Sequence, residues 1–290
     1  MELKRKNEEE RLVVRNHLLK DNQGNEYVLP LLQYPLLEQT EIVEHCFTTR
    51  LGGVSEGMFS TLNFSFVRGD KTEAVMENYR RIAETFGKTV NDFVCTDQTH
   101  TTTVLQVGKA EKGYGVTKER TYTDVDGLIT NEPGVILSTF YADCVPLYFV
   151  DPVHKAIGLS HSGWRGTVGR MGQKTLEAMA KAYGTRSEDV YAAVGPSICQ
   201  ECYEISEDVA EYFYKEFQGH GEKILINKGN GKYQLDLWKT NEIVLLEAGI
   251  KPEHLAVTNV CTCCNSEVLF SHRASHGKRG NLAAFLMLKD

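Results

Sequence analysis

The chain has 290 residues, enough for one large or two ordinary domains, and 41% of them are hydrophobic, enough for a substantial buried core. A formal charge of −7 and a pI near 5.8 give no general attraction to nucleic acid or to anionic membranes, so a small anionic ligand in a local basic pocket is the easier partner. The opening M-E-L-K-R-K-N-E-E-E-R-L lacks the apolar core of a secretory signal, and no run approaches the roughly 20 apolar residues of a membrane helix. A cytoplasmic location is the default expectation, and the eight cysteines are then expected as reduced thiols or ligands rather than a disulfide framework.

Residues 2–10 are a charged opening, expected to be mobile, and residues 11–30 read as an edge hairpin. Together they form an N-terminal extension (1–30) to a domain spanning 31–290. From His45 the text H-C-F-T-T-R-L-G-G-V-S-E-G is a short strand broken by Gly52, Gly53 and Gly57. Such a loop lets backbone approach a ligand closely, and a plain surface turn explains it equally well. Residues 70–86 place Val75, Tyr79, Ile82 and Phe86 on one helical face, with Gly87 as the stop. Short apolar segments bounded by turn residues predict strands at 103–107, 127–130, 135–140, 147–151 and 155–160. A helix follows at 167–183 from the spacing of Met171, Leu176, Met179 and Ala180, then a strand at 190–194. Helices at 206–217 and 237–248 and a strand at 255–260 complete the pattern. No repeat or linker divides the chain. The expected fold is a single α/β domain with a mixed, layered β-sheet flanked by helices, because hairpin-short and helix-long intervals between strands alternate.

Three segments present a potential ligand at a strand end or tight turn: T-D-Q-T-H around His100, A-D-C-V-P around Cys144 and S-H-S-G-W-R-G around His161. Two imidazoles and one thiolate suit zinc, which in catalytic sites takes three protein ligands and leaves a fourth position. The separations of 44 and 17 residues match no short zinc-finger pattern, so the ligands would have to converge in space. Singly, each residue is more simply a buried thiol or a satisfied histidine. The same residues also permit a nucleophilic site in which His100 or His161 deprotonates Cys144. A strand ending in Ser-His, followed by Gly163, Gly166 and a helix, is a ready anion site, and Arg165 could hold a phosphate there. Cys199-Gln-Glu-Cys202 and Cys261-Thr-Cys263-Cys264 formally supply two C-x-x-C pairs for a structural zinc. Against this, the pairs lie far apart, and clustered cysteines after a buried strand can simply be packing.

Taken in order, T-T-R-L-G-G-V-S-E-G, D-Q-T-H, D-G-L-I-T, A-D-C-V-P, H-S-G-W-R-G, V-G-P-S-I and F-S-H-R closely resemble the laccase-domain family of bacterial purine nucleoside phosphorylases, which also carry a polyphenol oxidase label. The resemblance spreads over most of the chain and implies that His100, Cys144 and His161 are metal ligands. Ser162 stands where the motif usually has alanine, and F-S-H-R-A-S-H-G-K-R-G shifts residues around the expected Arg-rich turn that holds Arg273, Lys278 and Arg279. The resemblance implies zinc-dependent phosphorolysis of adenosine, inosine and methylthioadenosine, together with adenosine deamination, with a purine nucleoside and phosphate as the small-molecule partners. On that reading His100, Cys144 and His161 form the catalytic centre with Asp143 as a proton carrier, while Gly163, Arg165 and Arg50 are the expected phosphate or ribose contacts. Nine histidines with no H-x-H pair cannot build a multicopper cluster, which leaves copper only as an alternative occupant of the zinc position. A cysteine hydrolase using Cys144 and a non-catalytic nucleoside-binding protein are the alternative readings.

Overall fold

The computed structural model describes residues 1–20 and 23–290. In chain order its first elements are β1 (Val13–Lys20), β2 (Glu26–Gln33), α1 (Pro35–Glu38), β3 (Val43–Thr48), α2 (Thr72–Thr85), β4 (Phe93–Cys95), β5 (Val104–Gln106) and β6 (Gly127–Thr130). Next come β7 (Ile136–Tyr141), β8 (Val145–Asp151), β9 (Ala156–Ser162), α3 (Trp164–Val168), α4 (Met171–Tyr183) and β10 (Tyr191–Val194). The last are β11 (Glu204–Ser206), α5 (Glu207–Glu216), α6 (Gly221–Ile224), β12 (Leu225–Gly229), β13 (Lys232–Leu235), α7 (Leu237–Glu247), β14 (Leu255–Val257) and β15 (Leu282–Leu288).

Two six-stranded mixed sheets, ordered β1-β2-β3-β15-β7-β4 and β14-β10-β8-β9-β6-β5, lie face to face, and β11-β13-β12 form a small third sheet. Strand alternation divides the core in three. On β15, Leu282, Ala284, Leu286 and Leu288 enter the layer between the two large sheets, while Ala283, Phe285 and Met287 turn outward to Val75, Tyr79 and Ile82 of α2. On β8, Tyr148 and Val150 face the inter-sheet layer, and Val145, Leu147 and Phe149 face the side covered by α4, α5 and α7. Helices therefore cap both sheets, and the central strands are apolar on both faces, which is why they read as continuous hydrophobic runs.

The layered α/β expectation holds, and the differences from it are local. The opening is held rather than loose: Arg5 bridges to Val260, Lys4 N donates to Asn265 Oδ1 at 2.7 Å, and Asn259 donates to Asn7 and Glu9. The hairpin at residues 11–30 is present as β1 and β2, but β2 continues to Gln33 and pairs with β3, so it is part of a large sheet. The helix expected at 167–183 is two helices, because Arg170 takes a left-handed conformation (φ 58°) between α3 and α4. The strand expected to 260 ends at Val257. Neither β15 nor the small sheet is anticipated from the sequence, although β15 is the central partner of β3 and β7. No helix among the described residues is long and apolar enough to cross a membrane.

Candidate metal centre and cavity

The three expected ligands meet because one hairpin and one loop converge. β8 and β9 pair antiparallel with Val145 opposite Ser162 and Pro146 opposite His161, so Cys144, one residue before β8, lies beside the end of β9. His161 follows Ile157 and Leu159 on the inter-sheet face of β9, where an apolar residue would continue the core. His100 arrives from the loop between β4 and β5, its ring 5.0 Å from that of His161 between centroids. A ligand atom from each of His100, Cys144 and His161 lies within 4.8 Å of the others.

Asp126 holds this arrangement. Its Oδ1 is 2.8 Å from His161 Nδ1, which leaves Nε2 for the cluster, and its carboxylate accepts the backbone N–H groups of Thr99, His100 and Thr101. The Thr101 hydroxyl adds a fifth bond at 2.9 Å. One carboxylate thus orients His161 and fixes the loop on which His100 adopts φ 67°. Burial would push Asp126 up, but the hydrogen bond and charge of His161, with the bonds from Thr101, outweigh it and hold the carboxyl below its ordinary range. Burial would likewise push the Cys144 thiol up, yet the charge of His161 and hydrogen bonds from His100 and His161 bring it down to about 6. His161, pushed down by burial, is raised to about 9 by the Cys144 thiolate and Asp126. The thiol is therefore poised as a thiolate, the form in which it binds metal.

The donors fit a zinc ion. Gly163 supports this, because a Cβ there would stand 2.9 Å from His100 Cδ2 and 3.2 Å from Cys144 Sγ, so glycine leaves room for those two side chains to approach as they do. An Asp126→Asn protein is expected to fold and to bind zinc about 10–100-fold more weakly, because the amide keeps the shape but loses the charge and one acceptor. Competition against a chromogenic chelator measures this, and unchanged affinity would remove Asp126 from the support of the centre.

The cluster opens on a cavity of about 990 Å³. His100, Cys144 and His161 form part of its wall, with Phe66, Phe140 and Val116 supplying apolar surface. Arg68 and Arg279 also line it. Arg279 Nε is buried with no partner among the described residues, and burial, with the nearby charge of Arg68, brings its pKa down to about 10. A desolvated, incompletely paired guanidinium facing a cavity can take an anion as its partner. Arg68 stands beside it on the cavity wall, donating from Nε to Arg279 O and from Nη2 to Gly277 O.

The other expected contacts lie elsewhere. Arg50 donates to the main-chain carbonyls of Ser60 and Ser266 and stacks over Phe270, so its guanidinium fastens two loops rather than lining the cavity. Arg165 is exposed and lies over its neighbour Trp164, 4.2 Å from the ring centroid, at the start of a helix of only five residues. Asp143, at φ 93°, accepts from Thr262 Oγ1 at 2.6 Å and from Arg273 N at 2.7 Å, so both oxygens pin the turn that carries Cys144. Arg273 itself donates to the carbonyls of Cys202 and Glu204. Two important residues were not singled out by the sequence reasoning: Asp126, which opens D-G-L-I-T, and Arg279, in the C-terminal turn. The first had a signal in that motif; the second was named only with Arg273 and Lys278 in the expected Arg-rich turn, and nothing set it apart from them.

Comparison with known proteins finds relatives over most of the chain. A Bacillus subtilis protein named purine nucleoside phosphorylase YlmD is 34% identical over 245 residues, covering 84% of this chain and 88% of the relative. A protein from an unknown prokaryotic organism named adenosine deaminase RL5 is 30% identical, covering 85% of this chain and 94% of its own. The crystal structure of the Bacillus licheniformis hypothetical protein YfiH superposes with a TM-score of 0.85 at 31% identity, over 89% of this chain and 96% of that one. The family model described as multi-copper polyphenol oxidoreductase laccase matches residues 44–289, and the chain belongs to that family.

Proposed function

We propose that this protein is a zinc-dependent purine nucleoside phosphorylase acting on adenosine, inosine and methylthioadenosine, with adenosine deaminase activity, working in the cytoplasm. The observation that carries the reading is the convergence of His100, Cys144 and His161 on the wall of a cavity that also presents Arg279 and Arg68. The names of the relatives, a phosphorylase and a deaminase, support the same chemistry. When bound, a zinc ion held by His100, Cys144 and His161 supplies Lewis-acid chemistry at the cavity wall. Copper can occupy the same donors, since imidazole and thiolate suit both ions.

The chain's own residues supply the rest. Arg279 and Arg68 bind and orient the phosphate, and Phe66, Phe140 and Val116 give a purine ring an apolar surface and exclude water from it. Phosphate so held attacks the anomeric carbon as the base departs, while deamination needs no phosphate. Asp143, with both oxygens occupied, acts by positioning Cys144 rather than by carrying a proton. Arg279→Met is expected to raise the KM for phosphate about 10–100-fold, the loss of one charge-assisted interaction, with little change in phosphate-independent deamination. Equal loss of both activities would remove Arg279 from phosphate binding.

The direct test incubates the zinc-loaded protein with adenosine, with and without phosphate. Ribose 1-phosphate appearing only with phosphate, and inosine forming in either case, is the expected result. No turnover of any purine nucleoside would overturn the reading. A second reading has one specific observation in its favour: Asp126 holds His161 at 2.8 Å and His161 adjoins Cys144, the members of a Cys-His-Asp set for nucleophilic attack. The two readings part on whether another metal ligand can replace the thiol.

A further inference from the structure

Away from the cavity, Cys199, Cys202, Cys261 and Cys264 bring their sulfurs within 4.8 Å of one another. Cys202 Sγ is 3.6 Å and Cys199 Sγ 4.0 Å from Cys264 Sγ. A tetrahedral ion with bonds of about 2.3 Å to sulfur sets its ligands roughly 3.8 Å apart, between those two values. The distances far exceed the roughly 2.05 Å of a disulfide, and all eight cysteines are unpaired. The ligand sulfurs of an iron–sulfur cube sit on separate irons and need wider spacing, so the geometry suits one ion.

Local structure supports the same reading. Residues 199–202 form one C-x-x-C knuckle, with a short 3-10 turn at Gln200–Cys202, and 261–264 form the other. A parallel bridge between Ser197 and Cys261 and the bond from Thr262 N to Ser197 O join the two. The amides of Cys199 and Cys264 point at Cys261 Sγ from 3.3 and 3.4 Å, as donors do around a thiolate. Cys199 and Cys261 are buried without joining any of the three apolar clusters, while Cys202 packs against the edge of the one under α4, α5 and α7. Four thiolates around a divalent ion carry a net charge of −2, and a cation stands at the edge of the site, the Lys6 ammonium paired with Glu201 at 3.2 Å. Cys263 stands outside the set.

We propose that Cys199, Cys202, Cys261 and Cys264 form a structural site for a single zinc ion, separate from the His100, Cys144 and His161 centre. Each thiol gives its proton to solvent as the ion binds. The site staples two loops that otherwise meet through few bonds, and its reach extends to the cavity. Thr262, inside the second knuckle, donates to Asp143 beside Cys144, and the carbonyl of Cys202 accepts from Arg273.

Metal analysis of the full chain, purified without added metal, is expected to give two zinc ions per chain. Cys199→Ser and Cys264→Ser are each expected to give one, with a lower thermal midpoint, while Cys263→Ser keeps two. A Cys144→Ala chain loaded with cobalt should still show the intense sulfur-to-cobalt charge-transfer and visible bands of a tetrathiolate site, a readout that needs no cysteine of the proposed set to be changed. The proposal is overturned by absence of those bands, by zinc content that Cys199→Ser and Cys264→Ser leave unchanged, or by iron in place of zinc. None of these readouts uses nucleoside turnover, so failure of the phosphorylase reading would leave them standing.

Discussion

Replacing Cys144 by alanine is expected to strip the ion from the His100 and His161 centre and to lower nucleoside turnover by more than about a hundredfold, beyond what loss of a merely supporting group costs. Two imidazoles alone, one of them exposed on a loop, hold zinc far less tightly than two imidazoles and a thiolate already drawn toward ionisation. The variant should remain folded, since Cys144 sits in a turn whose shape is fixed by Asp143 through Thr262 and Arg273. Zinc content and ribose 1-phosphate formation measured on the same sample check both halves. Cys144→His adds the deciding comparison: a third imidazole can ligate zinc but cannot form a thioester, so partial recovery of metal and turnover supports the metal centre. Full metal with no turnover in Cys144→His, together with full metal in Cys144→Ala, would instead make Cys144 a nucleophile.

Phe285→Ala is expected to cost about 3–5 kcal/mol of stability and to lower the thermal midpoint by roughly 10 °C. Phe285 is wholly buried on the outward face of β15, where its ring meets Phe64 at 5.4 Å, Phe93 at 5.3 Å, and Tyr79 and Phe86 at 6.4 Å between centroids. These partners come from a loop, from β4, from α2 and from Phe86 that caps it, so one side chain joins α2 to the sheet beneath it. Rings packed edge to face on a rigid strand cannot close into the space left behind, and the cavity penalty adds to the lost transfer energy. Metal binding should survive, because the ligands lie on the opposite, inter-sheet side. A change below about 1 kcal/mol in denaturant unfolding would show that the cluster relaxes instead.

How much of the molecule could be read beforehand depended on how local the cause was. The helix at Thr72–Thr85 was legible from Val75, Tyr79 and Ile82, since one apolar stripe at helical spacing needs no partner to be recognised. The strands of the β8 and β9 hairpin were legible for a similar reason, being short apolar runs around a turn. That hairpin contained most of the centre: once Pro146 pairs with His161, Cys144 must lie beside Gly163, so a separation of 17 residues becomes contact. His100 was one candidate ligand at a turn, and the order of D-Q-T-H, A-D-C-V-P and H-S-G-W-R-G joined it to the other two.

Other features had no local cause. Arg50 and Arg165 looked like anion contacts because glycines surround them, but a guanidinium is committed by whichever carbonyl or ring the fold brings near, here Ser60, Ser266 and Trp164. Arg279 looked like one more charge in a basic turn and becomes a cavity cation only because burial strips its water. The C-x-x-C pairs at 199 and 202 and at 261 and 264 formally suggested a zinc site but lie far apart along the chain, and the Ser197 to Cys261 bridge sets them side by side. The sequence by itself determined the layered α/β class and the family and pointed to His100, Cys144 and His161, because residue chemistry and short-range periodicity are written along the chain. Only the tertiary structure decided which carboxylate orients His161, which arginine faces the cavity and which thiols meet, because those contacts join residues tens of positions apart through two packed sheets.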